Sequence, residues 1–363
     1  MITINRQMLA PTRYCRSRLR TFTAKAFEYC GVVPSDAIQA ADVLCTSDEW
    51  GIRSHGVARL RSYCEMLLTG NIDARAQPLT TKRFGSIALV DGNNGLGLIA
   101  APFANQLAMA MAGETGIGWV SVRNSNHYGI AGYYTAQAAM KGLIGLSMTN
   151  TPPLVSPFGG AERKLGTNPL SLAFPTLSGP PVLIDMATSA ISLGFVENAK
   201  REGRMVPSLC LANSLGNSST NPRDLEGGSL LPLGGIVGHK GYCLASMVDL
   251  LCGVFPGASW GPFVPTFLNE IHTPERKVGQ GIGHLFLCIK AGVFEDLSVV
   301  SERAQDWAET MRKTTPAVPA EAVLTPGDPE HMAAKDSNEN GVALDSLVYD
   351  DLQRLANELD LAF

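Results

Sequence analysis

Apolar positions in the first part of the chain recur every three or four residues. The leucines, phenylalanines and cysteine of "NRQMLAPTRYCRSRLRTFTAKAF" (5–27) follow that spacing, as do the apolar residues of "PSDAIQAADVLCTSDEW" (34–50). A third run surrounds "GIRSHGVARLRSY" (51–63), where Val57, Leu60, Cys64 and Leu67 form a stripe. This period predicts three amphipathic helices, the third from about 55 to 69 with Ser54 as its N-cap and Gly70 just past its end. On such a helix positions i, i+4 and i+8 share one ridge, so His55, Arg59 and Tyr63 form a column beside the apolar stripe.

Beyond about residue 78 the texture changes to short β-rich runs separated by Gly, Pro and Asn. They are "SIALVDG" (86–92), "GIGWVSVRN" (116–124), "GLIGLSMTN" (142–150), "NPLSLAFPT" (168–176), "PPVLIDMA" (180–187) and "HLFLCIKA" (284–291). Helical runs at 100–113 and 131–141 lie between them, and a wholly apolar helix follows at 243–254. Charged helical character returns near the C-terminus after the linker "TTPAVPAEAVLTPGDPE". The fold class expected is α/β (α+β). Residues 1–78 together with 315–363 form a helical domain, and residues 79–314 a mixed α/β domain.

Composition narrows the function. With 363 residues, 45% hydrophobic and 17% charged, the chain can bury a large core divided between two domains. A net charge of -4 leaves no basic field for nucleic acid or an anionic membrane, so neither is expected as a partner. The eight cysteines stand singly, without metal-ligand spacing, and read as buried thiols of a reducing compartment; no metal site is expected. No apolar run reaches a membrane span and the opening residues lack a secretory core, which points to a cytoplasmic protein. The arginine-rich opening, with no acidic residue before Glu28, also suits a transit peptide, but its periodicity favours a first structural helix.

Four stretches carry candidate chemistry. In "DGNNGLGLIA", Gly95, Gly97 and Ala100 make a GxGxxA turn between strand and helix, as in a Rossmann fold. The next strand ends "SVRN", without the acidic residue a ribose needs, so these glycines read better as a close helix–sheet approach. Asn124, Ser125, Asn126 and His127 leave a strand end as a polar cluster. The loop "TNTPPLVSPFGGAERKLGTNP" (149–169) is longer than connection requires. Lys240, among the glycines of "LPLGGIVGHKGYC", opens the apolar helix where N–H groups and an ammonium suit a phosphate. Together they describe a cleft for a polyanionic cofactor beside a small polar substrate.

"SHGVARL" with Tyr63 after it, "GIGWVSVRNSNHYGIAGYY", "GTNPLSLAFP", "IDMATS", "GHKGY" and the late "TPGD" occur in the order seen in the malate/L-lactate dehydrogenase type 2 family, which the chain resembles over nearly its whole length. That family includes ureidoglycolate, sulfolactate and 2,3-diketogulonate enzymes and cyclic-imine carboxylate reductases. The resemblance implies a cofactor domain that is not a Rossmann fold, NAD or NADP as cofactor, a small carboxylate substrate, and a homodimer with the cleft near the subunit interface. It also implies His55 and His127 as acid/base groups, Arg59 as the carboxylate anchor, Tyr63 as a pocket-lining donor and Ser54 beside them in the substrate-binding set. Thr151, Asp185, Met186, Ala187, Lys240, Gly327 and Asp328 fall on the family's nucleotide-contacting segments. Two departures stand out: "LCLANSLGNSSTNP" replaces a tryptophan-containing turn and acidic, glycine-rich stretch, and Cys243 stands where glycine is common.

The chemistry expected is hydride transfer between a 2-hydroxy acid and its 2-oxo acid. Histidine, with an unperturbed pKa near 6.5, suits the accompanying proton, and a planar guanidinium binds the carboxylate through two N–H groups. Of the two histidines, His55 near a helix N-terminus is expected to have a lowered pKa, which makes His127 the better acid for reduction near neutral pH. A cyclic imine carboxylate as substrate uses the same arginine. A non-catalytic nucleotide-binding protein is the alternative of another class, and the intact His55, Arg59, His127 and Lys240 argue against it.

Overall fold

The computed structural model describes residues 12–266, 276–319 and 321–363, and the described residues fall into two compact units: one of residues 12–74 with 328–363, the other within residues 75–327. In chain order, unit one opens with β1 (Thr12–Tyr14), α1 (Arg16–Tyr29) and α2 (Pro34–Glu49). Two 3₁₀ turns (Arg53–His55 and Val57–Arg59) then lead into α3 (Leu60–Leu68). Unit two runs through β2 (Leu79–Phe84), β3 (Ile87–Asp91), α4 (Gly97–Thr115), β4 (Ile117–Ser125), α5 (Ala131–Met140), β5 (Leu143–Thr149), β6 (Leu170–Phe174) and β7 (Val182–Met186). It continues with α6 (Leu193–Glu202), β8 (Leu211–Ala212), β9 (Ser218–Ser219), β10 (Ser229–Leu230), α7 (His239–Asp249), β11 (Ile282–Lys290) and α8 (Leu297–Arg312). The chain closes in unit one with α9 (Asp328–Asn340), β12 (Val342–Leu344) and α10 (Ser346–Glu358).

Local chemistry explains many of these boundaries. Pro34 occupies the first turn of α2, where its missing N–H leaves nothing unsatisfied. Gly116, with φ +86°, ends α4 in the left-handed conformation that a side chain resists. The Ser192 hydroxyl accepts the Phe195 N–H at 3.2 Å and starts α6.

The helix expected at 100–113 spans Gly97–Thr115 and that expected at 243–254 is α7, His239–Asp249, and two other helices depart further from the sequence reading. Residues 5–11 of the first predicted helix lie outside the described residues, and residues 12–14 form β1, paired antiparallel with Val342–Leu344. Helical spacing is blind to a strand partner more than three hundred residues away. The third predicted helix is not continuous from 55: it begins at Leu60, and Gly56 interrupts the turns before it with φ -92° and ψ -148°. The break has a cause in α2, where the buried Asp48 carboxylate accepts the Val57 N–H at 2.7 Å. A Cβ on Gly56 would overlap that carboxylate.

Unit two is built on a seven-stranded sheet of order β2-β3-β4-β11-β5-β6-β7. Only β3 and β4 pair in parallel; every other neighbouring pair is antiparallel, so the sheet is mixed and not a doubly wound Rossmann sheet. Strand β11 lies at its centre, and the period of two sends its side chains to opposite faces. Phe286 meets Tyr134 of α5 on one face, with ring centroids 5.3 Å apart, while Leu285 packs with Met148, Val248 and Cys252 on the other. Phe286 is fully buried, so truncating it to alanine is worth about 3–5 kcal/mol. The departing stretch "LCLANSLGNSSTNP" contributes β8 and β9 to a three-stranded sheet with β10.

The cysteines are not uniformly buried. Cys15, between β1 and α1, and Cys243, on α7, are exposed, and Cys210, just before β8, is intermediate.

Candidate functional site

In unit one the group formed by His55, Arg59 and Tyr63 survives the loss of the helical ridge, but a turn rather than a helix positions it. Arg59 Nε donates to the Ser54 carbonyl at 2.9 Å, folding its guanidinium back over the turn that bears His55. Ser54 caps no helix; its Oγ lies 2.8 Å from His55 Nδ1. Tyr63 is buried on α3, its ring 6.2 Å edge-on from Phe27. Withdrawal from solvent, followed by the Arg59 charge, lowers the His55 pKa to about 4, and burial raises that of the Tyr63 phenol against the opposing pull of Arg59. The expected direction for His55 is found, with burial in place of the helix dipole as its cause.

Asp48 escaped the sequence reading. Burial raises its pKa to about 8, opposed by the Val57 N–H and the Arg53 charge. The carboxyl fixes the turn between His55 and Arg59 through Val57 and Gly56. A signal was present: Asp48 continues the Ala37, Ala41, Leu44 stripe at helical spacing, and a carboxylate on an apolar stripe requires an internal partner.

In unit two, much of the polar cluster after β4 serves the fold. Asp91 Oδ1 accepts from the Asn93 N–H at 2.9 Å and from Asn124 Nδ2 at 2.8 Å. Asn126 Nδ2 donates to the Gly95 carbonyl at 2.9 Å. These bonds sew the GxGxxA turn to the 124–126 segment. A Cβ on Gly97 would lie 2.7 Å from the His127 carbonyl carbon, so that glycine permits the start of α4 to approach backbone. His127 emerges half-buried from the cluster, its Nδ1 accepting the Gly129 N–H at 3.3 Å. That bond leaves the neutral ring its proton on Nε2.

The remaining predicted positions fall on loops and on the ends of strands and helices. The Thr151 N–H donates to Asn168 Oδ1 at 3.0 Å, and its hydroxyl receives the Asn168 N–H at 3.3 Å. Asp185, at the end of β7, accepts the Gly132 N–H at 2.8 Å and so places a carboxylate at the N-terminus of α5, where the helix dipole favours it. Met186 and Ala187 follow it, half-buried. Lys240 is exposed in the first turn of α7, preceded by a 3₁₀ turn at Gly235–Val237 with Gly234 and Gly235 at positive φ. Glycines, N–H groups at a helix start and an exposed ammonium suit an anionic phosphate. Gly327 has φ +98° and packs against Leu183; Asp328 is the first residue of α9 in unit one.

Among the described residues no group of three His, Cys, Asp or Glu side chains is arranged to hold a metal, and no helix is long and apolar enough to cross a membrane.

Comparison with known proteins gives one consistent result. Residues 15–353 match the family model described as malate/L-lactate dehydrogenase. A malate dehydrogenase of Pyrococcus horikoshii is 37% identical over 352 residues, 96% of this chain and 95% of its own. Its solved structure superposes with a TM-score of 0.87 at 35% identity, covering 97% of each chain. A malate/(S)-sulfolactate dehydrogenase of Methanothermus fervidus is 33% identical over 94% of this chain and 96% of its own. The solved structure of a delta1-piperideine-2-carboxylate reductase from Pseudomonas syringae has a TM-score of 0.83 at 27% identity, covering 95% of this chain and all of the other.

Proposed function

The chain belongs to the malate/L-lactate dehydrogenase family, and we propose that it is an NAD(P)-dependent oxidoreductase interconverting a small 2-hydroxy acid and its 2-oxo acid. The observation that carries this reading is the His55–Arg59 turn: a guanidinium tethered by its Nε to the Ser54 carbonyl, beside an imidazole kept neutral by burial. Arg59 serves as the carboxylate clamp, because a planar fork fixes the orientation of the acid as well as binding its charge. Tyr63 and Ser54 complete the substrate-binding set.

The hydrogen bonds support a division of work between the histidines other than the one expected from the sequence. Ser54 Oγ can accept from His55 Nδ1–H or donate to bare Nδ1, so His55 changes protonation without losing its partner. His127 lacks this freedom: the Gly129 N–H must face a lone pair on Nδ1, which disfavours a doubly protonated ring. We assign His55 as the proton carrier and His127 as a fixed Nε2–H donor. In oxidation the neutral His55 takes the hydroxyl proton; in reduction the protonated ring returns it.

Lys240 and the glycine turn before α7 hold the cofactor phosphates, with Thr151, Asp185, Met186, Ala187 and Gly327 on flanking segments and Asp328 as a further candidate. The nicotinamide cofactor supplies or takes up the hydride. Asp185 already serves α5, so its part in cofactor binding is through the loop it anchors. The homodimer implied by the family is checked by light scattering.

The test is a panel of 2-oxo acids, including oxaloacetate, pyruvate and sulfopyruvate, and cyclic imine carboxylates, each with NADH and NADPH. Turnover of a 2-oxo acid is the expected result. Turnover confined to the imines would shift the substrate class towards that suggested by the similarity to the piperideine-2-carboxylate reductase. No turnover together with no cofactor binding would refute the proposal.

A further inference from the structure

His284 is a fully buried histidine on the central strand of unit two, outside every group assigned above. A register shift between Ile282 and His284 interrupts the pairing of β11 with β4. His284 Nε2 lies 2.9 Å from Ser125 Oγ on β4, and its Nδ1 lies 2.8 Å from Thr149 Oγ1 on β5. The ring stacks on Tyr128, with centroids 4.6 Å apart and planes 5° from parallel. One side chain thus spans three strands and contacts the residues two before and one after His127 in sequence.

Proton inventory gives the bridge a direction. The Thr149 hydroxyl has carbonyl acceptors at 3.0 Å on Asn150 and Gly283, so its proton is used there and its lone pair receives Nδ1–H. Nε2 then carries the lone pair and accepts the Ser125 proton. The opposite tautomer would leave the Ser125 hydroxyl only the Asn126 carbonyl, at 3.5 Å. Burial, against the opposing effect of the Asn126 backbone, lowers the pKa of His284 to about 3, so the ring remains neutral throughout the working range.

We propose that His284 is a positioning residue for His127, a neutral strut that holds Ser125 and Tyr128 and thereby sets where the 125–128 segment carries the His127 ring. The proposal rests on the assignment of His127 made above. Ser125 ends β4 and the next residues turn away from the sheet, so the strut acts at the last point where the sheet still controls the segment. Ordinary core packing would need only the ring; positioning needs both nitrogens.

The experiment compares Ser125→Ala, His284→Phe, His284→Gln, the Ser125→Ala/His284→Phe double variant and His127→Asn. Phenylalanine keeps the stack on Tyr128 and deletes both hydrogen bonds; glutamine can donate to Thr149 and accept from Ser125. We expect Ser125→Ala and His284→Phe each to lower kcat roughly ten- to a hundredfold, the scale of a displacement of about 1 Å at a reacting group. The KM for NAD(P)H should stay within about twofold, the double variant should be no worse than His284→Phe, and glutamine should restore part of the loss. Losses that multiply in the double variant would overturn the strut. So would a lowered urea midpoint with an unchanged kcat per folded molecule. If His127→Asn lowers kcat while Ser125→Ala and His284→Phe do not, only this proposal fails. If His127→Asn itself leaves kcat unchanged, the assignment of His127 fails and the strut with it.

Discussion

Gly97 separates two meanings of the GxGxxA turn by measurement. In a dinucleotide fingerprint its substitution by alanine obstructs a pyrophosphate; here it should instead strain the protein. The added Cβ would lie 2.7 Å from the His127 carbonyl carbon and nearer still to the carbonyl oxygens of Asn126 and His127. Carbon–carbon contacts are most favourable at about 3.5–4.0 Å, so the 126–127 backbone or the start of α4 must retreat by about 1 Å. Overpacking of that kind costs about 1–3 kcal/mol, and a domain of this size loses about 2–4 °C of Tm per kcal/mol. Gly113 is the internal control: it lies in the same helix, is exposed, and its Cβ would meet nothing within 4 Å. Alanine there should stabilise the fold by about 0.5–1 kcal/mol through backbone entropy. Thermal and urea unfolding of Gly97→Ala, Gly113→Ala and the wild type, with NAD(P)H titration by fluorescence, tests the argument. Gly97→Ala should melt several degrees low and show reduced kcat, because the displaced peptide bears His127. A Gly97→Ala variant that unfolds with the wild type and binds NAD(P)H more weakly would refute the packing argument and restore the dinucleotide reading.

Five other substitutions bear on the proposed site. Arg59→Lys should raise the substrate KM by about tenfold or more while NAD(P)H titration is unchanged, since an ammonium cannot reproduce the fork; an unaltered KM for every accepted substrate removes Arg59 from the site. Lys240→Ala should raise the KM for NAD(P)H and leave the substrate KM alone, and an unchanged cofactor titration gives that helix start another role. With His55 at a pKa of about 4, reductive kcat/KM should fall about tenfold per pH unit through neutrality; His55→Asn should abolish this slope and lower kcat by about two to four orders of magnitude, whereas His127→Asn should keep the slope. Loss of the slope only in His127→Asn would reverse the assignment. Asp48 has a folded pKa raised to about 8 against about 3.9 unfolded, so the fold favours its protonated form and this group removes stability as pH rises between those values. Asp48→Asn, whose carbonyl can still accept the Val57 N–H, should therefore gain in urea midpoint relative to the wild type from pH 5 to pH 8; a constant difference would refute the buried-acid argument.

Periodicity and punctuation alone determined the texture of this chain: helices in the first segment, short strands from β3 through β7, the helix that Lys240 opens and the late strand of β11. These patterns are local, because a buried face repeats with the geometry of its own element. Sequence chemistry also disqualified the Rossmann fingerprint, since a strand ending in "SVRN" offers no acid to a ribose. Tertiary structure decided what depends on distant partners. Nothing local tells β11 to enter between β4 and β5, yet that insertion pairs it antiparallel with both and brings His284 to Ser125 and Thr149. The single helix expected from 55 to 69 failed for the same reason: His55, Arg59 and Tyr63 have helical spacing, but the carboxyl that breaks the helix at Gly56 belongs to α2. Asn124 and Asn126 looked like site residues because polar groups at strand ends often are, and only folding revealed that they bind the turn after β3. Residue type and spacing are written along the chain, whereas the lone pair that meets each buried proton is chosen by whatever segment the fold sets opposite it.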